Sequence, residues 1–304
     1  MSATESPARQ IVIDESHMEK KHLRLGYHLV AFLDVLGQRN RFKSLRLPKT
    51  PEESTEVGKV LRQTAGFVID LRKTFADQFQ WFEAGLTGVR QATGASVHPK
   101  SMGFSDSFVT SVPLQNPGGD LIAIISVFSS LAAAAIVMLT SLASKHPLRG
   151  GVDVGLATEI SQDEIYGTAL ERAYLIESRD AGYPRIVVGD ELWNFLQVGL
   201  ANFQRQTTPD AKSIAAIIGK MMGLISIDGD GKRILDYLGP VILEIPGTDQ
   251  KARELMVKPA YEFVLSEQER VNQNGDPKLM ARYKAFRNYF ESRLALWGLE
   301  ARPE

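Results

Sequence analysis

The sequence predicts an α+β fold, and three observations predict it. Short apolar runs that end on a charge or a glycine alternate with longer stretches whose apolar residues recur every three or four positions. Two of the short runs meet across only two residues, Ser105 and Asp106, which makes them a hairpin. After about residue 205 the character changes to long helical patterns around one further short hairpin.

Residues 1–25 are polar and charged and are expected to form a loosely held arm. His28–Asp34 (HLVAFLD) is an apolar run ending on a carboxylate and reads as a buried strand, broken by Gly37. Arg39, Arg41, Lys43 and Arg46 follow in a basic connector. Pro51 opens a helix in which Val57, Leu61, Ala65, Val68, Leu71 and Phe75 share one face, running to about Phe82. Gly85–Ala95 is loop-like, Ser101–Phe104 and Ser107–Val112 are the hairpin strands, and Pro113–Gly119 is a turn. An uncharged helix follows over 121–144, then a glycine-rich strand, Leu148–Ala157. Tyr166-Gly167 precedes a helix over Thr168–Arg179, Arg185–Val188 is a strand, and Asp190 is expected to cap the helix holding Leu192, Trp193 and Phe195. The order β-α-β-β-α-β-α-β-α is that of a ferredoxin-like sandwich, an antiparallel sheet flanked by helices. It assigns 26–205 to one domain and 206–304 to a largely helical extension. The extension holds a helix over Ala211–Met222, a hairpin turning at Asp228-Gly-Asp-Gly-Lys232, and amphipathic helices over 250–272 and 276–297. The Asp228 segment starts like a calcium loop but lacks its later glycine and terminal glutamate, so it reads as a turn.

With 304 residues, 44% of them hydrophobic, the chain can bury a substantial core. A net charge of −1 supplies no field for nucleic acid, so no nucleic-acid partner is expected and an anionic ligand needs a local site. No cysteine is present, which rules out disulfides and thiolate metal sites and fits a reducing, cytoplasmic setting. The five histidines show no zinc-like spacing, so a metal would be held by oxygen. The first residues lack the basic-then-apolar pattern of a secretory signal. Leu121–Ala143 is long enough to span a bilayer, but its serines, its alanine block at 132–135 and its lack of flanking aromatics predict a packed helix without membrane contact.

Asp34 ends a buried strand and Asp106 sits at a hairpin tip. If those strands are neighbours, the two carboxylates converge, within roughly 4 to 8 Å, and with a backbone carbonyl offer a hard-oxygen site for two divalent cations, Mg²⁺ or Mn²⁺. Such a site can activate a hydroxyl and neutralise a triphosphate. The loop ending at Gly37 could offer backbone N–H groups to phosphate, with Arg39 or Arg41 beside it. Each aspartate taken singly is equally a strand or helix cap.

Phe32-Leu33-Asp34-Val35-Leu36-Gly37 resembles the first metal motif of the class III adenylate and guanylate cyclases, and Phe104-Ser105-Asp106-Ser107 resembles the second, with serine where glycine is usual. Leu148-Arg149-Gly150-Gly151-Val152-Asp153-Val154-Gly155 looks like that family's strand after the long helix, and Glu164-Ile165-Tyr166-Gly167 like its acidic-aromatic-glycine turn. The likeness spans about 28–190. Departures accompany it. Met102 occupies the position of the purine-reading lysine, and Glu171 and Leu175 those of the transition-state asparagine and arginine. The variant text, including Gly167-Thr-Ala-Leu-Glu-Arg-Ala-Tyr174 and Tyr183-Pro-Arg-Ile186, resembles the Pycsar cyclases, bacterial anti-phage enzymes that make cyclic UMP or cyclic CMP.

The resemblance implies a class III cyclase sandwich, a homodimer with composite sites, and two cations held by Asp34, Asp106 and the Val35 carbonyl. It also implies a nucleotide site drawing on Leu36, Gly37, Met102, Arg149, Glu164 and Arg172, and a separate cyclic-nucleotide-sensing effector. Glu164 could accept from uracil or cytosine, or be a solvated turn residue. Arg149 could meet phosphate or decorate the surface. Arg172 and Arg185 are the nearest replacements for the missing cation, or else surface ion pairs. The implied reaction is attack of the ribose 3′-hydroxyl of UTP, or CTP, on the α-phosphorus with loss of pyrophosphate. The dimer interface is expected to draw on the apolar surplus after 205 and on helix 276–297. Trp81-Phe82 and Tyr289-Phe290 are expected in core or dimer packing rather than base stacking. Three other classes compete: a non-catalytic cyclase-like module, favoured by Glu171 and Leu175; a palm-type nucleotidyltransferase, disfavoured by the lack of an acidic Gly-Gly-Asp/Glu hairpin; and a membrane sensor resting on 121–143.

Overall fold

The computed structural model describes residues 25–37, 42, 45–86, 97, 99–115, 123–161, 164–245 and 250–302. The arm up to residue 24 and Arg39, Arg41 and Lys43 therefore lie outside the described residues. The elements are β1 (Leu25–Val35), α1 (Pro51–Gly85), β2 (Lys100–Phe104), β3 (Ser107–Pro113), α2 (Ile124–Ala143), β4 (Leu148–Ser161), β5 (Glu164–Gly167) and α3 (Thr168–Arg179). There follow β6 (Ile186–Val188), α4 (Asp190–Gln204), α5 (Pro209–Gly223), β7 (Ile225–Ile227), β8 (Arg233–Leu235), a π-helical turn (Arg253–Val257), α6 (Lys258–Asn274) and α7 (Pro277–Leu294).

The strands form one sheet in the order β2-β3-β1-β4-β6-β8-β7, with β5 paired to β4. Its first four strands, antiparallel throughout, are the 4-1-3-2 arrangement of a ferredoxin-like βαββαβ unit. The expected antiparallel sheet is corrected at one seam: β4 and β6 run parallel. The helix α3 between them supplies the crossover that a parallel pair requires. Residues 206–304 contribute β7 and β8 to this sheet, Ile234 pairing with Val187.

Period-two alternation sorts β1 between two faces. Leu29, Ala31, Leu33 and Val35 meet Phe75 and Phe79 of α1 and the apolar residues of α2 in the main core. Val30 and Phe32 point the other way, to Ala169 and Ala173 of α3. Helix α2 is apolar all round because α1, α5 and α6 all pack against it. It is long and apolar enough to cross a membrane, yet 94% of its most apolar window is buried within the chain. Its Ser126 hydroxyl donates to the buried Glu83 carboxylate of α1 at 2.8 Å.

The structure corrects several local expectations. On α1 the buried stripe is Thr64, Val68, Leu71, Phe75, Phe79 and Phe82, whereas Leu61 is 47% exposed because the stripe's cover starts one turn later. Asp190 does not cap α4. Gly189 takes the cap position, and the Leu192 N–H donates instead to Asp153 Oδ1 of β4 at 2.8 Å. Glu164-Ile165-Tyr166-Gly167 is not a free turn but a strand, pairing with the far end of β4. Phe286, Tyr289, Phe290 and Leu294 of α7 are buried in the chain's own core, so they do not form an outer apolar face. Trp81, by contrast, is 46% exposed. In the β7–β8 turn Asp228 and Asp230 bind the Arg185 guanidinium, at 2.5 and 2.6 Å. That closes the calcium reading of the turn and removes Arg185 as a cation for substrate.

Helix α3 lies on β4 through glycine. A Cβ on Gly151 would stand 2.2 Å from the Ala173 carbonyl oxygen, and one on Gly155 2.9 Å from the Ala169 nitrogen. Both obstacles are backbone, so neither can rotate away. Gly151→Ala is therefore expected to force α3 off the sheet and cost about 1–3 kcal/mol. Urea unfolding of the variant measures the loss; an unchanged midpoint would contradict the packing described.

Candidate active site

Asp34 is the penultimate residue of β1, on the α3 face of the sheet. Asp106 occupies the two-residue connection between β2 and β3, where Ser105 takes a positive φ of 54° to make the turn. Because β1 and β3 are neighbours with Asp34 opposite Ser107, the hairpin tip lies at the end of β1. The backbones touch: the Val35 N–H donates to the Asp106 carbonyl at 3.3 Å. The two aspartates, 72 positions apart in sequence, thus meet at one end of the sheet.

Three side chains surround Asp34. The Ser107 hydroxyl donates to its Oδ1 at 2.7 Å and fixes the carboxylate's orientation. Arg149, its cross-strand partner on β4, holds Nη2 at 3.6 Å from Oδ2. The Nε of the same guanidinium is ion-paired to Glu177 of α3, a carboxylate only 3% exposed. Burial pushes the Asp34 carboxyl above its ordinary value. The Ser107 hydrogen bond pulls it back, the like charge of Asp106 adds to the rise, and Arg149 opposes it. Burial likewise raises Glu177, against the pull of Arg149.

The other expected site residues fall at varied distances. Met102 stands on β2 opposite Val109 and packs, half-buried, with the Val30 and Ala173 cluster. It shares the Asp34 face, about 7 Å along the strands from the Phe104–Ser107 pair. Arg172 bonds the Val154 carbonyl at 3.2 Å and faces Glu191 at 3.6 Å. It therefore lies about 16 Å along β4 from Arg149. Glu164 pairs with Ser161 at the opposite end of β4 and is exposed. A strand of that length puts it on the order of 35–40 Å from Arg149. Of the backbone donors expected for phosphate, Val35 N–H is used by Asp106 and Leu36 N–H donates to the Pro147 carbonyl at 2.8 Å. Gly37, at φ 88°, remains the candidate. Sequence reasoning missed Glu177, whose signal is its spacing: Ala169, Ala173 and Glu177 recur every fourth residue on the face that meets Gly155 and Gly151.

The donor chemistry suits a hard divalent cation, since Asp34 and Asp106 offer carboxylate oxygens. Among the described residues no three His, Cys, Asp or Glu side chains gather as a metal cluster. A cation here would thus take its remaining ligands from backbone, substrate and water.

No family model matches the chain, and no curated protein does. Among solved structures, similarity is found to the catalytic core of a rhodopsin-guanylyl cyclase with converted specificity in complex with ATPalphaS. That match has 10% identity and a TM-score of 0.30 over 58% of this chain and 84% of that one. A class III adenylyl cyclase-like ATP-binding protein from Pseudomonas aeruginosa is similar at 13% identity and a TM-score of 0.35, over 64% of this chain and 41% of that one. Neither likeness is close enough to bear on the fold or the activity of this chain.

The burial of Asp34 has a measurable consequence. A carboxyl raised by burial binds its proton more tightly folded than unfolded, so the fold loses stability as pH rises through the carboxylate range, and the loss is complete at neutral pH. Asparagine at 34 keeps the acceptor for Ser107 and carries no such penalty. Asp34→Asn is expected to raise Tm at pH 7 by about 2 °C, the gain shrinking as pH falls toward the ordinary aspartate value. Thermal melts of both chains from pH 7 to 4 check the sign.

Proposed function

We propose that this chain is a nucleotide cyclase of the class III kind, acting on a pyrimidine nucleoside triphosphate, UTP before CTP. The observation that carries it is the meeting of Asp34 and Asp106 at adjacent strand ends of a 4-1-3-2 sheet, on a face that α3 leaves partly open. Asp34, Asp106 and the Val35 carbonyl would hold two Mg²⁺ or Mn²⁺ ions. Such ions, when bound, supply charge neutralisation for the triphosphate and lower the pKa of the ribose 3′-hydroxyl. Ser107 keeps the Asp34 carboxylate turned to that position. Arg149 presents its guanidinium beside the carboxylates, where it can meet phosphate oxygens as charge builds on them. The reaction joins the 3′-oxygen to the α-phosphorus and releases pyrophosphate. The preference for a pyrimidine rests on Met102, which offers no donor or acceptor to a purine edge, and on the sequence resemblance to cyclases that signal phage infection to a separate effector.

The partner is a second copy of the chain. Glu164 and Arg172 are too far from Asp34 to serve it within one chain, whereas a two-fold pairing across the open face supplies them from the other subunit. Phe32, Leu170, exposed Tyr166 and exposed Tyr174 line a hollow on that face. A stable interface there would bury about 1,600 Å² or more. A non-catalytic nucleotide-binding module is the second reading, favoured by Glu171 and Leu175 where a class III cyclase carries its transition-state asparagine and arginine.

Incubation of the purified protein with each of the four nucleoside triphosphates and Mn²⁺, followed by mass spectrometry, decides between the two. The expected product is cyclic UMP, and no cyclic product from any triphosphate would leave the module. Asp106→Ala should lower turnover on the order of a thousandfold without loss of fold. Mixing Asp106→Ala with Glu164→Ala chains should restore partial activity through heterodimers. A mixture that stays inactive while the protein sediments as a monomer would overturn the composite site.

A further inference from the structure

Glu177 is a carboxylate in an inward helix position, and nothing in the fold requires one there. The two residues that precede it on the same face, Ala169 and Ala173, are fully buried against the sheet. A third small or apolar residue would continue that seam. Instead a charge stands one turn on, 3% exposed, with Arg149 as its ion partner. An unpaired charge at such a depth costs several kcal/mol, so the pair acts as a unit.

The unit is unequal at its two ends. Arg149 sets its Nε in ion-pair contact with Glu177, without a hydrogen bond between the two atoms, and leaves Nη2 at 3.6 Å from Asp34, beyond hydrogen-bond reach. An arginine facing a lone carboxylate normally closes on it in a two-pronged pair at about 2.8 Å. Here Glu177 holds the guanidinium back. The position of α3 sets the restraint, because Gly151 and Gly155 let the helix backbone touch the strand and fix where residue 177 stands.

We propose that Glu177 is a positioning residue that keeps Arg149 from closing on Asp34, so that the Asp34 oxygens stay available to a divalent cation while the guanidinium stays beside them for phosphate. This rests on the metal role of Asp34 and Asp106 proposed above. Without the Glu177 charge, Arg149 swings fully onto Asp34 and competes with the cation. Removing both charges removes the competitor and leaves neither Arg149 nor Glu177 buried without its partner.

The test is Mn²⁺ binding to the full chain without nucleotide, by isothermal titration and by loss of the free Mn²⁺ paramagnetic resonance signal. Glu177→Gln is expected to weaken Mn²⁺ binding about tenfold, the size of effect seen for partners that orient metal ligands. Glu177→Gln combined with Arg149→Gln is expected to bring the affinity back to the wild-type value. Circular dichroism and Tm confirm that each variant is folded; the double variant replaces an ion pair by two neutral amides. Equal Mn²⁺ affinity in wild type and Glu177→Gln overturns the positioning role alone. An affinity lost in the single variant and not recovered in the double variant also overturns it, since the effect then does not pass through Arg149. Failure of the wild-type chain to bind Mn²⁺ overturns the metal site and the positioning role together.

Discussion

Helix α3 approaches β4 so closely that no Cβ fits between them at Gly151 or Gly155. Much of the functional end of the molecule follows from that contact. Backbone against backbone fixes the height of the helix over the sheet, and the helical repeat then fixes where every fourth residue lands. Ala169 and Ala173 fill the seam, and Glu177 lands beside Arg149. The same strand carries Asp153, whose carboxylate accepts the Leu192 N–H and anchors the first turn of α4. Gly189 permits this, because a Cβ there would stand 2.2 Å from the Asp153 carboxyl carbon. One glycine-rich strand thus positions two helices by removing side chains and supplying single charges in the gaps.

Buried charge is handled in two different ways. Arg185 is enclosed: Asp228, Asp230 and the Asp180 carbonyl accept from both of its terminal nitrogens, and its side chain is 4% exposed. Asp236 is similarly held by Arg293 and by the Tyr289 hydroxyl, tying α7 to the loop after β8. These groups join the later part of the chain to the sheet. The set at Asp34 is less complete. Arg149 is divided between two carboxylates, is about a third exposed, and touches Asp34 only as an ion pair at 3.6 Å. Enclosed pairs serve cohesion, whereas a pair with unused donors and acceptors at an open face can exchange a protein partner for a ligand.

What could be read from the sequence follows the range of the interactions involved. The apolar run of His28–Asp34 and the short connection at Ser105-Asp106 are local, and both aspartates fell where strand ends put them. Element order suggested a ferredoxin-like sandwich, and the 4-1-3-2 order of the first four strands agrees with it. The serines and alanines of 124–143 predicted packing, and the fold buries them. The errors sit where a partner is distant in sequence. Asp190 has the local look of a cap, but Asp153, on another strand, takes the N–H. Leu61 follows the helical repeat, yet no pattern in α1 states where its cover begins. Arg185 read as a cation for substrate or a surface ion pair; it is an ion pair but a buried one, because its acceptors, 43 and 45 positions away, fold over it. Glu177 was legible in principle, as a carboxylate continuing an alanine seam opposite glycines, but only once α3 and β4 are set against each other.

The geometry also bears on the second copy that the proposed chemistry calls for. Along β4 the charged end at Arg149 and the end carrying Glu164 are separated by most of a long strand, and a rigid paired strand cannot fold them together. Between them the sheet face carries Val30 and Phe32, which α3 covers, and Met102 and Val109 of the β2–β3 hairpin, which are half-buried. That surface is apolar where a nucleotide base would rest and charged where a triphosphate would rest, but it offers the base few polar groups of its own. A nucleoside triphosphate bound there would meet its metal carboxylates and Arg149 in one direction and the half-buried apolar side chains of Met102 and Val109 in the other. Recognition of a base needs directional donors or acceptors. Among the described residues, the exposed carboxylate of Glu164 on a second copy, turned by a two-fold axis, is the group that the proposed pairing would lay over Met102 and Val109.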